Sequence, residues 1–146
     1  MNEITTTPNL WFDPTNCFIG GHWLPTDARE TLPLENPSDG TIICEIGRGK
    51  AADIDKAVAA ARAALNGEWG RLPAVERGRI LSRIGQKVLE RVDDLARLEA
   101  MDVGKPLKQA RADALALARY MEFYGGAADK VHGETIPYLD GYTVYT

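Results

Sequence analysis

The chain has 146 residues, of which 45% are hydrophobic, 26% charged and 8% aromatic, a composition typical of globular proteins. Its formal net charge of −4 argues against a nucleic-acid binder, which would be basic. The longest uncharged stretch, residues 14–26, is too short and too polar to cross a membrane, and no basic residue precedes Arg29, so no secretory signal is predicted. Because Cys17 and Cys44 are the two cysteines, a disulfide framework and a four-cysteine zinc site are excluded. We expect a soluble cytoplasmic protein.

The N-terminal third of the chain has the patterns of a tail followed by short strands. Residues 1–16 show no periodicity and predict a loose tail leading into the fold. A small antiparallel β unit is predicted next, with turns at Gly20-Gly21 and in the Asn-Pro-Ser-Asp-Gly run at 36–40. Pro33 confines its strand to an edge or a strand start, because it cannot donate to a ladder. The predicted strands are residues 17–19, 22–24, 32–35 and 41–46.

From Ala51 onward, apolar residues recur every three or four positions, which predicts four helices. The first runs from Ala51 to about Asn66 and is so rich in alanine that we expect it to pack closely against another element. Prolines suit the starts of helices and glycines suit their ends. The predicted signals are Gly67 ending the first helix, Pro73 starting the second, Asp93 or Asp94 capping the third, Gly104 ending it, Pro106 starting the fourth, and Gly125-Gly126 weakening or bending its end.

The C-terminal residues return to an extended pattern. A turn at Asp140-Gly141 separates residues 135–138 from a last run at 142–146 with strong β propensity. The sequence offers this last strand no obvious partner, and proteins usually avoid an exposed edge. We therefore expect the strand to be unpaired and the chain to be cut short.

The residues suited to chemistry do not form an active site. Neither cysteine is predicted to be catalytic, since Cys17 has no nearby base and the negative charge of Glu45 would raise the pKa of Cys44. His22 and His132 are far apart in sequence, and we expect solvent-facing or locally hydrogen-bonded imidazoles. Residues 47–50, Gly-Arg-Gly-Lys, fail the phosphate-loop pattern in both its first glycine and its final hydroxyl, and no dinucleotide-binding glycine fingerprint is present.

Asp102 is the exception among the acidic residues. It stands just before the Val-Gly-Lys-Pro break at 103–106, where carbonyl groups at the end of a helix are free. A carboxylate beside free carbonyl oxygens can hold a hard cation. A helix-end cap or an ion pair with Lys105 is the alternative explanation.

Taken in order, five motifs resemble the N-terminal part of the aldehyde dehydrogenase superfamily. His22 stands where the family usually has an acidic residue, and Met101 where it more often has leucine. The motifs are Phe-Ile-Gly-Gly-His-Trp at 18–23, Glu-Asn-Pro-Ser-Asp-Gly at 35–40, Asp-Ile-Asp-Lys-Ala-Val-Ala-Ala-Ala-Arg at 53–62, Leu-Glu-Ala-Met-Asp-Val-Gly-Lys-Pro at 98–106, and the helix end from Tyr120 to Gly133.

The resemblance implies an α/β fold: the N-terminal portion of a cofactor-binding domain, helix-rich with a small antiparallel β unit and a C-terminal β-strand. Residues 1–16 would be a tail, residues 17–133 a partial NAD(P)-binding domain, and residues 134–146 the start of an oligomerisation hairpin that bridges subunits. The family's catalytic cysteine, general base and cofactor motifs would all lie beyond Thr146. We therefore assign no catalytic or cofactor-binding residue here and expect this chain alone to be inactive, with no cofactor bound.

For the full-length parent, the resemblance implies oxidation of an aldehyde by NAD or NADP through a cysteine thiolate, in a homo-oligomer of two or four subunits. It also implies a structural Na⁺ or K⁺ held by Asp102 and by a backbone carbonyl of Leu34 or Glu35. The alternative to this function is a non-catalytic, α-rich interaction module or the product of a decayed gene.

Overall fold

A computed structural model describes residues 10–146 of the chain. Two β-hairpins come first, five helices follow, and a third hairpin closes the described part. Most of the predicted tail, residues 1–9, lies outside the described residues. The elements are β1 (Asn16–Ile19), β2 (His22–Pro25), β3 (Thr31–Glu35), β4 (Ile42–Gly47), α1 (Ala51–Asn66), α2 (Glu68–Arg71), α3 (Ala74–Leu89), α4 (Val92–Val103), α5 (Leu107–Ala127), β5 (Thr135–Ile136) and β6 (Val144–Tyr145).

The four N-terminal strands form two separate antiparallel pairs, β1 with β2 and β3 with β4, rather than a single sheet. Gly20 and Gly21 join the first pair with φ angles of 61° and 87°, the left-handed values that a two-residue hairpin turn requires. Phe18 and Trp23 face each other across this pair, with ring centroids 5.2 Å apart. Each of these four predicted strands is present, and none of their boundaries moves by more than one residue.

The segment before β1 is packed rather than loose where the structure describes it. The ring of Phe12 stacks on that of Trp23, with centroids 5.0 Å apart. The guanidinium of Arg91 lies 4.9 Å from the centre of the Trp11 ring. These contacts are made across long sequence separations, so the lack of periodicity before residue 16 does not reveal them.

Local signals predict the helix ends well. Gly67 ends α1, Pro73 and Pro106 precede α3 and α5, and Gly104 ends α4 with a left-handed φ of 69°. Within residues 10–146, no helix has both the length and the apolar character needed to cross a membrane.

Three details of the helices differ from the prediction. Arg91 is the N-cap of α4, while Asp93 and Asp94 lie in its first turn, where a carboxylate is still favourable near the positive end of the helix dipole. The helix α5 continues through Gly125 and Gly126 to Ala127. The short α2 has four residues, too few for periodicity to predict.

The core lies between α3, α4 and α5, which meet through small side chains. Ala110, Ala114 and Ala118, spaced by one turn of α5, are all nearly inaccessible to solvent. Gly78 of α3 lies so close to α5 that an added Cβ atom would come within 2.3 Å of the Gly125 carbonyl oxygen. The two helices therefore approach each other main chain to main chain at this point.

The helix α1 is attached mainly at its N-terminal end. Asp53 is buried there, and its carboxylate accepts hydrogen bonds from the backbone N–H groups of Lys50 and Asp27, each at 3.0 Å. The expected close packing of its apolar face does not occur within the described residues. Ile54 is 60% exposed and Leu65 is 66% exposed. Alanine content predicts the helix but not the element that covers it.

The last strand is paired, which corrects the prediction of an unpaired strand. Thr135 and Ile136 of β5 pair with Tyr145 and Val144 of β6 in antiparallel register. The Tyr142 N–H donates to the Leu139 carbonyl at 3.2 Å, and this turn brings the two strands together. Two-residue strands are too short for the alternation that a sequence search relies on.

Candidate cation site

Asp102 lies in the last turn of α4, beside the loop that connects β3 and β4. A Cβ atom at Gly104 would lie 3.0 Å from the Pro37 ring, because the end of α4 packs directly on this loop. Gly104 therefore both ends the helix and allows the close approach. The loop begins just after Leu34 and Glu35, so the end of α4 lies next to the end of β3.

Leu34 and Asp102 lie on the same side of the fold, at one groove. Both line an open groove of about 770 Å³ formed by the N-terminal segment, the β3–β4 hairpin, α4 and α5. Glu35 is exposed and is not among the described residues that line this groove. The third predicted residue thus lies beside the groove rather than in it, as alternation along a strand requires.

A β-bulge interrupts the β3–β4 ladder at the predicted carbonyl ligands. Leu34 pairs with Cys44, whereas Glu35 pairs with Ile42, so Ile43 is the extra residue. A bulge disrupts the ladder locally, and bulges are frequent beside functional sites. Because the β3–β4 ladder is interrupted here, this is the place along β3 where carbonyl oxygens best suit a role outside the sheet.

The available donors suit a hard cation better than a transition metal. Within residues 10–146 there is no group of three or more His, Cys, Asp or Glu side chains that could hold a metal ion. One carboxylate and neighbouring carbonyl groups provide only oxygen, the donor that hard cations prefer. The residues fit such an ion but supply only part of a coordination shell.

Lys105 does not pair with Asp102, which answers one of the alternatives. Its ammonium donates to Glu99 at 2.6 Å and to Asp113 at 2.8 Å, joining α4 to α5. The bond to Asp113, followed by that to Glu99, raises the pKa of Lys105. The bond from Lys105, followed by that from Gln109, lowers the pKa of Asp113. Asp102 is exposed and has no ion pair within 4.0 Å among the described residues.

The groove beside Asp102 is largely apolar, and its described lining residues include no activated nucleophile. Cys44 lines it, and burial raises the pKa of this thiol, with smaller contributions from the charges of Glu45 and Asp102. The effect of Glu45 has the sign predicted from the sequence. A raised pKa keeps the thiol protonated and unreactive at neutral pH.

The remaining residues considered for chemistry, Lys50 and the two histidines, do not form a site together. Lys50, in the glycine-containing 47–50 segment, is the N-cap of α1 and pairs with Glu30. This segment links strand to helix, as expected. His22 and His132 are both solvent-exposed and lie in different parts of the fold, in β2 and in the loop after α5.

The family is shown by comparison with known proteins. A model of the aldehyde dehydrogenase family matches residues 23–146. The chain belongs to the aldehyde dehydrogenase family. Its α/β fold class is also confirmed, because an NAD-bound PnpE structure matches 91% of the chain with 35% identity and a TM-score of 0.82.

Individual aldehyde dehydrogenases resemble the chain over nearly its whole length. Human retinal dehydrogenase 2 is 39% identical over 143 residues, which cover 96% of this chain and 28% of that protein. An aldehyde dehydrogenase structure from Burkholderia cenocepacia is 58% identical and covers 88% of this chain and 27% of its own, with a TM-score of 0.82. The chain thus spans little more than a quarter of the length of each of these two proteins.

Proposed function

We propose that this chain is the N-terminal part of an NAD(P)-dependent aldehyde dehydrogenase that oxidises an aldehyde to a carboxylic acid. The observation that carries the proposal is the family match over residues 23–146. The NAD complex of the similar PnpE structure supports a nicotinamide cofactor for the parent protein.

In the proposed reaction a cysteine thiolate, supplied by chain beyond this segment, attacks the aldehyde carbon and forms a thiohemiacetal. Loss of a hydride to the oxidised cofactor gives a thioester and the reduced cofactor. Water then cleaves the thioester, which releases the acid and restores the thiol. The identity of the aldehyde and the choice between NAD and NADP depend on residues outside this segment.

The contribution of this segment is a scaffold. The α3–α5 core is closely packed, whereas the 770 Å³ groove and the outer face of α1 leave apolar surface exposed. Exposed apolar surface on this scale is typical of a region that another part of the protein covers. We infer that the rest of the cofactor-binding domain packs there.

A chimera tests the proposal. Residues 17–146 would replace the equivalent part of the Burkholderia enzyme, chosen because it is 58% identical. We expect the folded chimera to reduce NAD or NADP with a simple aldehyde, measured by absorbance of the reduced nicotinamide, at a rate near that of the unmodified enzyme. This chain alone should give no turnover. A folded chimera without activity, beside an active parent enzyme, would contradict the proposal.

The competing function is a non-catalytic interaction module or a decayed-gene product. The exposure of Ile54, Val58 and Leu65 on one face of α1 favours such a module, because this face could bind another chain. Reading the coding DNA past Thr146 separates the two. An open frame that continues into further family motifs supports the enzyme, whereas a stop codon supports the module or a decayed gene.

We also propose that Asp102, with a backbone carbonyl of Leu34 or Glu35, forms part of a structural K⁺ or Na⁺ site in the parent. In the chimera, the melting temperature should rise with KCl more than with choline chloride at equal ionic strength. Asp102→Ala should abolish this difference. Asp94→Ala, at the exposed start of the same helix, should preserve it. A cation response that survives Asp102→Ala would rule out the site.

The proposed parent is a cytoplasmic homo-oligomer of two or four subunits. The β5–β6 hairpin supports an interface, since Tyr138, Tyr142 and Tyr145 are each at least two-thirds exposed. Light scattering of the chimera gives the subunit number, and replacing these three tyrosines by serine should lower it. A fluorescent fusion of the parent expressed in its own cells tests the compartment.

A further inference from the structure

A second groove lies between α3, the start of α4 and the N-terminal segment, and shares Leu95 with the groove beside Asp102. Its volume is about 480 Å³. We call it the basic groove, because its lining contains three basic side chains and, among the described residues, no acidic one. Its main lining residues are Trp11, Arg83, Ile84, Lys87, Val88 and Arg91.

The apolar and basic residues of the basic groove alternate along α3. Arg83 and Lys87 are four residues apart on α3, about 6 Å along the helix, and Arg91 follows just beyond its end, at the N-cap of α4. Ile84 and Val88 lie between them in sequence, and Ile84 is 43% exposed. An apolar floor thus runs beside a row of positive charges.

These charges are only partly neutralised by the chain. Lys87 pairs with Glu90 at 2.8 Å, and Arg91 is 4.0 Å from Asp94. Arg83 has no carboxylate within 4.0 Å among residues 10–146. A positive row on a chain whose net charge is −4 predicts a negatively charged partner.

We propose that the basic groove binds an acidic amphipathic helix of another protein. Such a helix presents apolar side chains every three or four residues and can place carboxylates one turn apart, which matches both the floor and the row of charges. A concave apolar floor suits an inserted helix better than a flat membrane, which would need protruding apolar groups. The inference goes beyond the proposed dehydrogenase activity and does not depend on it.

Fluorescence anisotropy with a synthetic labelled peptide tests the proposal. The peptide is a helix of about 15 residues with leucines on one face and glutamates beside them. We expect the 146-residue chain to bind it with a micromolar Kd, and Arg83→Glu with Lys87→Glu to weaken binding by about tenfold or more. Ile84→Ser should also weaken it, because it removes part of the floor.

Matched controls decide the outcome. Arg62→Glu with Lys108→Glu makes the same charge change on α1 and α5 and should leave the affinity nearly unchanged. A peptide with glutamine in place of glutamate should bind much more weakly. Equal weakening by both pairs of substitutions would overturn the proposal. Absence of peptide binding would also overturn the proposal. That holds if the groove instead binds phosphatidylglycerol vesicles, and it holds if the groove joins two copies of the chain. Circular dichroism verifies that each variant is folded.

Discussion

Two glycines near the contact between α3 and α5 have opposite surroundings. Gly78 has the carbonyl oxygen of Gly125 2.3 Å from the position of an added Cβ atom, whereas Gly126 has nothing within 4 Å. Both lie within helices, where alanine is otherwise favoured. The same substitution should therefore have opposite effects at the two positions.

Gly78→Ala should destabilise the chain by about 1–3 kcal/mol, because α3 and α5 would have to move apart. Gly126→Ala should stabilise it by about 0.5–1 kcal/mol, since it only reduces the freedom of the unfolded chain. Urea denaturation measures both free energies of unfolding. Equal changes in the free energy of unfolding for the two variants would show that α3 and α5 do not meet backbone to backbone at Gly78.

The contribution of Asp53 to the free energy of unfolding depends on pH. The hydrogen bond from the Lys50 N–H, followed by that from Asp27, lowers the pKa of this carboxyl below its ordinary value of 3.8. The carboxylate's stabilisation is therefore fully present above 3.8 and is lost as the pH falls through the lower folded-state pKa.

Asp53→Asn should lower the melting temperature at neutral pH, because the amide keeps an acceptor oxygen but loses the charge. The difference from the wild-type chain should persist from neutral pH down to 3.8 and shrink as the pH falls further through the lower folded-state pKa. Asp55→Asn, on the exposed side of the same helix, is the control. A difference that stays constant with pH would mean that the charge of Asp53 does not stabilise the fold.

Among the elements, the junction of α4 and α5 depends on one lysine. Lys105 lies in the short connection between the two helices and bridges Glu99 of α4 and Asp113 of α5. Lys105→Met keeps the length of the side chain but leaves two carboxylates facing each other. The melting temperature should fall at low ionic strength, and the loss should be smaller in high salt because repulsion is screened. Lys108→Met is the control, and an equal loss in both variants would contradict the bridging role.

The helices could be predicted from the sequence because their signals are local. Pro73, Pro106, Gly67 and Gly104 act within one turn of their own positions, and the structure has helix ends at each of them. The Lys105 bridge could not be predicted in this way, because its partners are six and eight residues away on different helices. Other acidic residues, such as Asp102, are nearer to Lys105 in sequence. Which carboxylates Lys105 reaches depends on the direction in which α5 runs.

The candidate site shows the same limit. The motif at 98–106 and the turn at 36–40 are visible in the sequence, and the structure places them side by side. The bulge at Leu34 and Glu35 is not visible, because it arises from the mismatch between two strands. The pairing of β5 with β6 differs from the predicted unpaired strand, because only two residues of each strand pair and so short a run shows no alternation.

For the whole molecule, the exposed face of α1 predicts self-association. Ile54, Val58 and Leu65 lie on one side of the helix and are all substantially exposed. Burying such residues typically yields about 1.5–3 kcal/mol each, so contact between copies is favourable. Sedimentation velocity should show association that increases with concentration.

Ile54→Glu with Leu65→Glu should suppress this association. Ala59→Glu, which adds a charge elsewhere on α1, should have little effect. If the wild-type chain is monomeric at every concentration, the exposed face of α1 does not mediate self-association.

The contact of Gly78 with Gly125 has a consequence for how this region can vary among relatives. Two helices that touch through bare backbone place almost no demand on the residues along their outer sides. Charged or aromatic residues on those sides do not disturb the packing of α3 against α5. Arg83 and Lys87 lie on the side of α3 away from this contact, so a change of charge there costs little, whereas a change at Gly78 or Gly125 is costly.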